Sequence, residues 1–346
     1  MRKFNLIFIA VVSMVLVSSL AAKVFEDAAL SYIQQEIRYT QNKLTFSIRR
    51  MRIRFCGSLA DGKLYYRFEP AFEKERSAFH LKFAYADIKY LAPYFTLRVG
   101  KFCAPSNLEV YWTWPPNQLN VWINPITRKI WEVGDLFDYG IQGAGTFKLG
   151  EEAKLTYIVA ALNGKGSSPG VNPDKKIDIC GRVNIVPIKG LQIGGWLQLV
   201  NAYDVRAADS IDERTLYGID LWYRGYGLDI RGGYDMGDAG SYGIITTKGD
   251  TGNYSGFYIM GGYTFETPVE AMGIGTVKIQ PIINYSSYAP DVDNISAATV
   301  ITPGVNFYIG ENLKVMINYR MISDPDGAYF ASEDNVFEMR TQVMFK

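Results

Sequence analysis

Apolar and polar residues alternate along this chain in fifteen segments, each about ten residues long, the length of a tilted membrane strand. Leu64, Tyr66 and Phe68 alternate with Lys63, Tyr65, Arg67 and Glu69, and Leu313, Val315, Ile317 and Tyr319 with Lys314, Met316, Asn318 and Arg320. A β-strand turns successive side chains to opposite faces, so every such segment has one apolar and one polar face. The segments lie near 45–56, 62–72, 79–90, 95–102, 135–147, 152–163, 176–187 and 190–202. They continue near 213–223, 227–237, 253–266, 275–288, 297–309, 312–323 and 336–346. So many strands in a row suit a membrane barrel, with lipid outside, water inside and no free strand edge.

The connections are of two alternating kinds. Short ones carry turn chemistry, as in Gly57-Ser58-Leu59-Ala60-Asp61, Leu91-Ala92-Pro93, Gly150-Glu151, Arg224-Gly225-Tyr226 and Gly310-Glu311-Asn312. Longer ones fall at 103–134, 164–175, 203–212, 238–252, 289–296 and 324–335, and 267–274 is long for a member of the short set. Strand 45–56 leads into a short turn and so runs inward, which requires an earlier strand running outward. Tyr32–Gln41 supplies it, with Ile33, Ile37 and Tyr39 alternating against Gln34, Glu36, Arg38 and Thr40. Ala29, Tyr32, Ile33, Glu36 and Ile37 also fit helical spacing, so a helix before the barrel is the competing assignment. The expected fold is all-β: a transmembrane antiparallel barrel of sixteen strands with its third external loop, 103–134, folded inward.

That loop holds four of the six tryptophans, Trp112, Trp114, Trp122 and Trp131, together with Arg128, Lys129 and four prolines. A segment so apolar is poorly placed in water and would narrow the lumen if folded into it. Its rings could serve as a slide for sugars or simply anchor the loop.

At the N-terminus, Arg2 and Lys3 precede an apolar run from Phe4 to Leu20 and a small-residue site at Ser19-Leu20-Ala21. This predicts a signal peptide over 1–21, export to the bacterial outer membrane, and one barrel domain over 22–346. An uncleaved anchor is the alternative, but the run is short and lacks a basic stop-transfer flank. Removing Arg2 and Lys3 from 36 basic residues leaves 34 against 35 acidic ones, which excludes bulk attraction to nucleic acid. Aromatics at 14% and 33 glycines suit interfacial girdles and tight turns. Cys56, Cys103 and Cys180 are too few and scattered for a disulfide framework or a metal site, and free thiols are expected.

Several stretches stand out together. One is Phe46-Ser47-Ile48-Arg49-Arg50-Met51-Arg52-Ile53-Arg54-Phe55, followed by Leu64-Tyr65-Tyr66-Arg67-Phe68-Glu69. Others are Leu97-Arg98-Val99-Gly100-Lys101-Phe102, Asn107-Leu108-Glu109 and Asp138-Tyr139-Gly140-Ile141-Gln142. Near the end come Pro303-Gly304-Val305-Asn306-Phe307-Tyr308, Asn312-Leu313-Lys314-Val315 and Met339-Arg340-Thr341-Gln342 before Phe345. Together these stretches resemble the phosphate-selective porin O and P family, and the likeness spans about 44–147 and 300–345. It implies a sixteen-stranded, homotrimeric channel. It departs from the family at 103–134, where tryptophans replace a lysine cluster.

On the polar faces of the fifteen stronger strands, fourteen basic residues stand against six acidic ones. Arg50, Arg52, Arg54, Arg67, Lys82, Arg98, Arg182 and Arg231 are the candidate pore-wall residues for solutes and anions. A cationic lumen favours anions, and guanidinium forks suit phosphate and carboxylate oxygens. Pairs such as Arg67–Glu69 and Arg231–Asp229 could instead brace the wall. The only histidine, His80, has no nucleophile motif around it, and no cofactor motif appears, so an enzyme is not expected. The expected function is passive diffusion of small hydrophilic solutes with a bias towards anions such as phosphate; the expected partners are outer-membrane lipids and small anionic or neutral solutes. A sugar-type channel and a structural or adhesive surface barrel are the alternatives.

Overall fold

The computed structural model describes residues 31–40, 43–73, 79–111, 117–121, 137–164, 176–203, 211–238, 253–271, 275–289, 296–325 and 335–345. The expected signal peptide lies outside them. The strands are β1 (Ser31–Thr40), β2 (Lys43–Arg52), β3 (Phe55–Leu59), β4 (Leu64–Glu73), β5 (Phe79–Leu91) and β6 (Phe95–Cys103). After a one-turn helix α1 (Leu108–Tyr111) follow β7 (Phe137–Lys148), β8 (Lys154–Leu162), β9 (Asp178–Ile188), β10 (Leu191–Tyr203), β11 (Ile211–Gly225) and β12 (Leu228–Asp238). The last are β13 (Asn253–Tyr263), β14 (Phe265–Ala271), β15 (Gly275–Ala289), β16 (Ala298–Ile309), β17 (Leu313–Ser323) and β18 (Val336–Phe345).

Neighbouring strands pair antiparallel around the ring, and β1 closes it against β18, with Ser31 opposite Phe345 and Tyr39 opposite Phe337. The expected first strand is therefore present, and its helical alternative falls: Ile33 and Ile37 face Val343 and Met339 across the seam. Both β2 and β3 pair with β4, and both β13 and β14 with β15, so the eighteen segments form a closed barrel of sixteen strands.

Proline explains both interruptions. Arg52 faces Ala71 and Phe55 faces Phe68, which places the gap at Ile53 and Arg54 against Pro70 and Glu69. Pro70 has no N–H to donate, and Ile53 N bonds to its carbonyl at 3.2 Å. Pro281 stands likewise beside the gap at Thr264, between the pairs Gly262–Ile282 and Phe265–Ile279.

Two expected boundaries are corrected. The segment 45–56 starts at Lys43 and resumes as far as Leu59, so the turn is 60–63 rather than Gly57–Asp61, with Lys63 in the turn and not on a strand face. Ala60 and Asp61 take the left-handed conformation there, at φ 51° and 52°. The long connection 267–274 shrinks because β14 runs on to Ala271, which pairs with Gly275.

Outward positions such as Phe46, Ile48, Val183, Leu197, Ile219, Ile259 and Ile283 are exposed, as a lipid-facing surface requires. The opposite face is not uniformly polar. Trp196, Val200, Leu216, Tyr254, Tyr258, Met260 and Ile282 share that face with Asp220 and Asp235, and they form one apolar cluster with Phe102, Ala104 and Leu119. The core of this barrel is thus inside it, where the chain after β6 docks.

Gly100 sits at φ +126°, and a Cβ there would stand 2.2 Å from the Ala84 carbonyl oxygen. Gly100→Ala is expected to cost about 1–3 kcal/mol, the usual range for a forced backbone outlier. Graded heating in detergent on semi-native gels should show the folded band lost at lower temperature. An unchanged transition would reject the strain.

Candidate functional site in the barrel lumen

Six of the eight expected wall residues meet on β2 to β6. The β1–β2 register pairs Gln34 with Arg50 but Gln35 with Ile48, so Arg49 is the extra residue of a bulge. A bulge breaks the alternation, and Arg49 and Arg50 are consecutive yet both buried. Lys82 is similarly extra between the pairs Glu69–Phe83 and Pro70–Leu81. Strict alternation therefore missed Arg49.

Three carboxylates hold this group. Glu73 Oε1 lies 2.5 Å from Arg52 Nη2 and 4.0 Å from Arg50 Nε, and Glu73 Oε2 lies 3.3 Å from Lys82 Nζ and 3.6 Å from His80 Nε2. Glu69 meets Arg54 at 2.8 Å, Arg67 at 2.5 Å and Arg52 at 3.6 Å. Arg98 donates to both Asp87 oxygens, at 2.7 and 3.0 Å. Rings flank the cations: Arg67 lies 3.8 Å from the Phe83 centroid, Arg98 3.9 Å from Tyr85 and Lys82 3.8 Å from Phe137. Seven basic side chains here (Arg49, Arg50, Arg52, Arg54, Arg67, Lys82 and Arg98) surround Glu69, Glu73 and Asp87. The local excess is cationic.

Arg182 and Arg231 lie elsewhere, far around the ring. Arg182 grips Asp220 with two bonds, 2.7 and 2.6 Å, and donates to Asn184 at 2.9 Å. Arg231 grips Asp229 at 2.8 Å through both Nε and Nη2. The fourteen-to-six tally is corrected accordingly. Glu36, Glu73, Asp87 and Asp138 are also buried, and among the described residues twelve buried Lys and Arg stand against eleven buried Asp and Glu. With the half-buried Arg67 and Arg98 added and Glu109 of α1 set aside, fourteen cations stand against ten carboxylates, and the basic surplus sits on β2 to β6.

The chain after β6 bonds to wall side chains at two stations. Arg182 Nη1 donates to the Ser106 carbonyl at 2.7 Å, Asn107 Nδ2 to Asp235 at 3.0 Å and Leu108 N to Asp220 at 3.1 Å. Asn107 also caps α1, accepting from Val110 N at 3.1 Å. At the second station three successive carbonyls are held. Arg231 donates to Asn117 O at 2.7 Å, Lys314 to Gln118 O, and Asn306 to Leu119 O at 3.0 Å. Val121 N then donates to Asn318 at 2.6 Å.

Glycines make room for the first station. A Cβ on Gly194 would stand 2.2 Å from Arg182 Nη2, and one on Gly218 2.3 Å from Asp235. Sequence reasoning had missed Asp220 and Asp235 as loop anchors, along with Asn107, Asn306 and Asn318. The paired glycines Gly194 and Gly195 in a strand were the one available signal of close approach.

Trp112, Trp114, Trp122, Arg128, Lys129 and Trp131 lie outside the described residues. Cys56, Cys103 and Cys180 are free thiols, the last two buried. Among the described residues no His, Cys, Asp or Glu group has metal-site geometry.

The profile of the family described as phosphate-selective porin O and P matches residues 235–345, so the resemblance holds over the C-terminal third. Among curated proteins none matches the chain in sequence. Solved porin structures share the fold. OmpF of Salmonella typhi in complex with daunomycin superposes with TM-score 0.67 at 12% identity, over 91% of this chain and 96% of that one. The outer-membrane channel DcaP of Acinetobacter baumannii gives 0.62 at 11%, over 91% and 96%. An anion-selective porin from Comamonas acidovorans gives 0.55 at 13%, over 91% and 98%.

Proposed function

We propose that this chain is an outer-membrane porin, exported by the segment 1–21 and assembled as a homotrimer, through which small hydrophilic solutes diffuse with a bias towards anions. The observation that carries the bias is where the charge sits. Around Asp220, Asp229 and Asp235 the carboxylates are occupied by Arg182, by Arg231, and by Asn107 and Leu108 of the third loop. On β2 to β6 the cations outnumber the carboxylates, and low-dielectric walls focus that field on passing ions. The bonds at 106–108 and 117–121 support a constriction by the third loop. Arg50, Arg52, Arg54, Arg67, Lys82 and Arg98 are then the residues an anion meets, and Arg182 and Arg231 hold the loop.

Single-channel recording in planar bilayers under a KCl gradient tests this directly. A reversal potential of the sign set by chloride is expected. A cation-selective or non-conducting protein would sink the proposal.

A further inference from the structure

On β4 to β6 the lumen wall sets its more accessible cations against a row of rings. Across the strands Tyr65 stands opposite Asp87, Arg67 opposite Tyr85 and Glu69 opposite Phe83, and Asp87 faces Arg98 in turn. Paired residues share a face, so all of these look inward. The Arg67 guanidinium lies 3.8 Å from the Phe83 centroid and that of Arg98 3.9 Å from Tyr85. The two rings are 6.1 Å apart and edge-on, at 72°. Tyr65 extends the row towards the turns, 6.3 Å from Tyr85, and Phe137 extends it the other way, 5.1 Å from Phe83. Phe83 and Tyr85 pack half-buried against the same apolar cluster as Val110 and Tyr111 of α1, so the row runs beside the third loop.

Access and bonding set Arg67 and Arg98 apart from the other arginines of this wall. Their side chains are 16% and 21% exposed, against 5% to 8% for Arg50, Arg52 and Arg54. Their forks are already spent. Arg67 gives Nε and Nη2 to Glu69, and Arg98 gives the same two nitrogens to Asp87. Neither Nη1 has a partner among the described residues. A solute therefore meets two single donors set among ring planes, in a region where cations outnumber Glu69, Glu73 and Asp87. Phosphate is served best by guanidinium forks and gains nothing from rings. A flat anion gains twice: its carboxylate accepts from Nη1, and its π face packs on a ring or a guanidinium.

We propose that the row Tyr65, Tyr85 and Phe83, with Arg67 and Arg98, is a binding track for aromatic monocarboxylates. The proposal rests on the channel reading, and its test separates the two. The full-length protein is reconstituted in planar bilayers at neutral pH, and benzoate, cyclohexanecarboxylate and inorganic phosphate are titrated in KCl. Benzoate and cyclohexanecarboxylate carry the same charge at similar size, and only benzoate has a π face. Benzoate is expected to lower the current saturably, at a half-saturating concentration about fivefold below that of either competitor, as one stacking contact provides. In the double variant Phe83→Leu, Tyr85→Leu the ratio between benzoate and cyclohexanecarboxylate should fall to about one. Should that variant fail to form a barrel, Tyr85→Leu alone is expected to halve the ratio at least.

Equal effects of benzoate and cyclohexanecarboxylate, equal or stronger effects of phosphate, or leucine variants that keep the wild-type ratio would each overturn the track. A barrel that conducts but is not blocked likewise overturns it and leaves the channel standing. A non-conducting protein overturns the channel reading instead. Titration calorimetry of the detergent-solubilised protein then decides the track alone. Saturable heat with benzoate at clearly lower concentration than with cyclohexanecarboxylate supports it; equal affinities, or no heat, overturn it.

Discussion

Replacing Arg50, Arg52 and Arg54 together with alanine should move the reversal potential in a KCl gradient strongly towards zero. On β2 to β6 the change leaves Arg49, Arg67, Lys82, Arg98 and Lys101 against Glu69, Glu73 and Asp87, so the inward surplus falls from five charges to two. Glu69 loses Arg52 and Arg54, and Glu73 loses Arg50 and Arg52. The anion-to-cation permeability ratio is therefore expected to fall by at least about threefold, most clearly in dilute salt where screening is weak.

The opposite substitution checks that charge and not pore width is responsible. Glu73→Gln removes one negative charge and releases the grip on Arg52 and Lys82, so anion preference should rise. Both variants shorten or keep side chains, so widening alone would predict no reversal of sign between them. If the triple variant kept the wild-type reversal potential, the arginines would be wall bracing and nothing more.

The barrel was legible because alternation is a local property and turn order constrains parity. Even the weak strand Ser31–Thr40 could be inferred from the direction of its neighbour. What the sequence hid depends on partners. Arg49 enters the cluster only through a bulge, and a bulge is defined by the strand opposite. Glu73 was lost because it lies one residue past the expected strand end, and Glu36 because its strand was the weak one. Which face of β10 or β13 looks inward is also invisible to period two, since Trp196 and Tyr258 would suit lipid equally well. The loop anchors are further out of reach. Asn107 and Asp235 are 128 residues apart, and no local pattern joins them.

Asp220→Ala should be the most damaging single change in the lumen. The Arg182 and Asp220 side chains are 0% and 1% exposed, so the alanine leaves a buried guanidinium with only Asn184 and the Ser106 carbonyl. Breaking a buried pair from one side typically destabilises by about 3–5 kcal/mol. Leu108 N loses its acceptor at the same time, which loosens the first loop station. The variant should unfold at lower temperature in detergent and show noisier, larger single-channel currents. Arg182→Met with Asp220→Met separates the two effects, because replacing both partners by apolar groups of similar size is often neutral for stability. The double variant should recover most of the thermal stability but not the quiet current, since Ser106 O and Leu108 N remain without their partners. An unchanged melting transition in Asp220→Ala would mean that water takes over from the carboxylate. A quiet current in the double variant would assign the holding of the loop to Asn107–Asp235 and the 117–121 station alone.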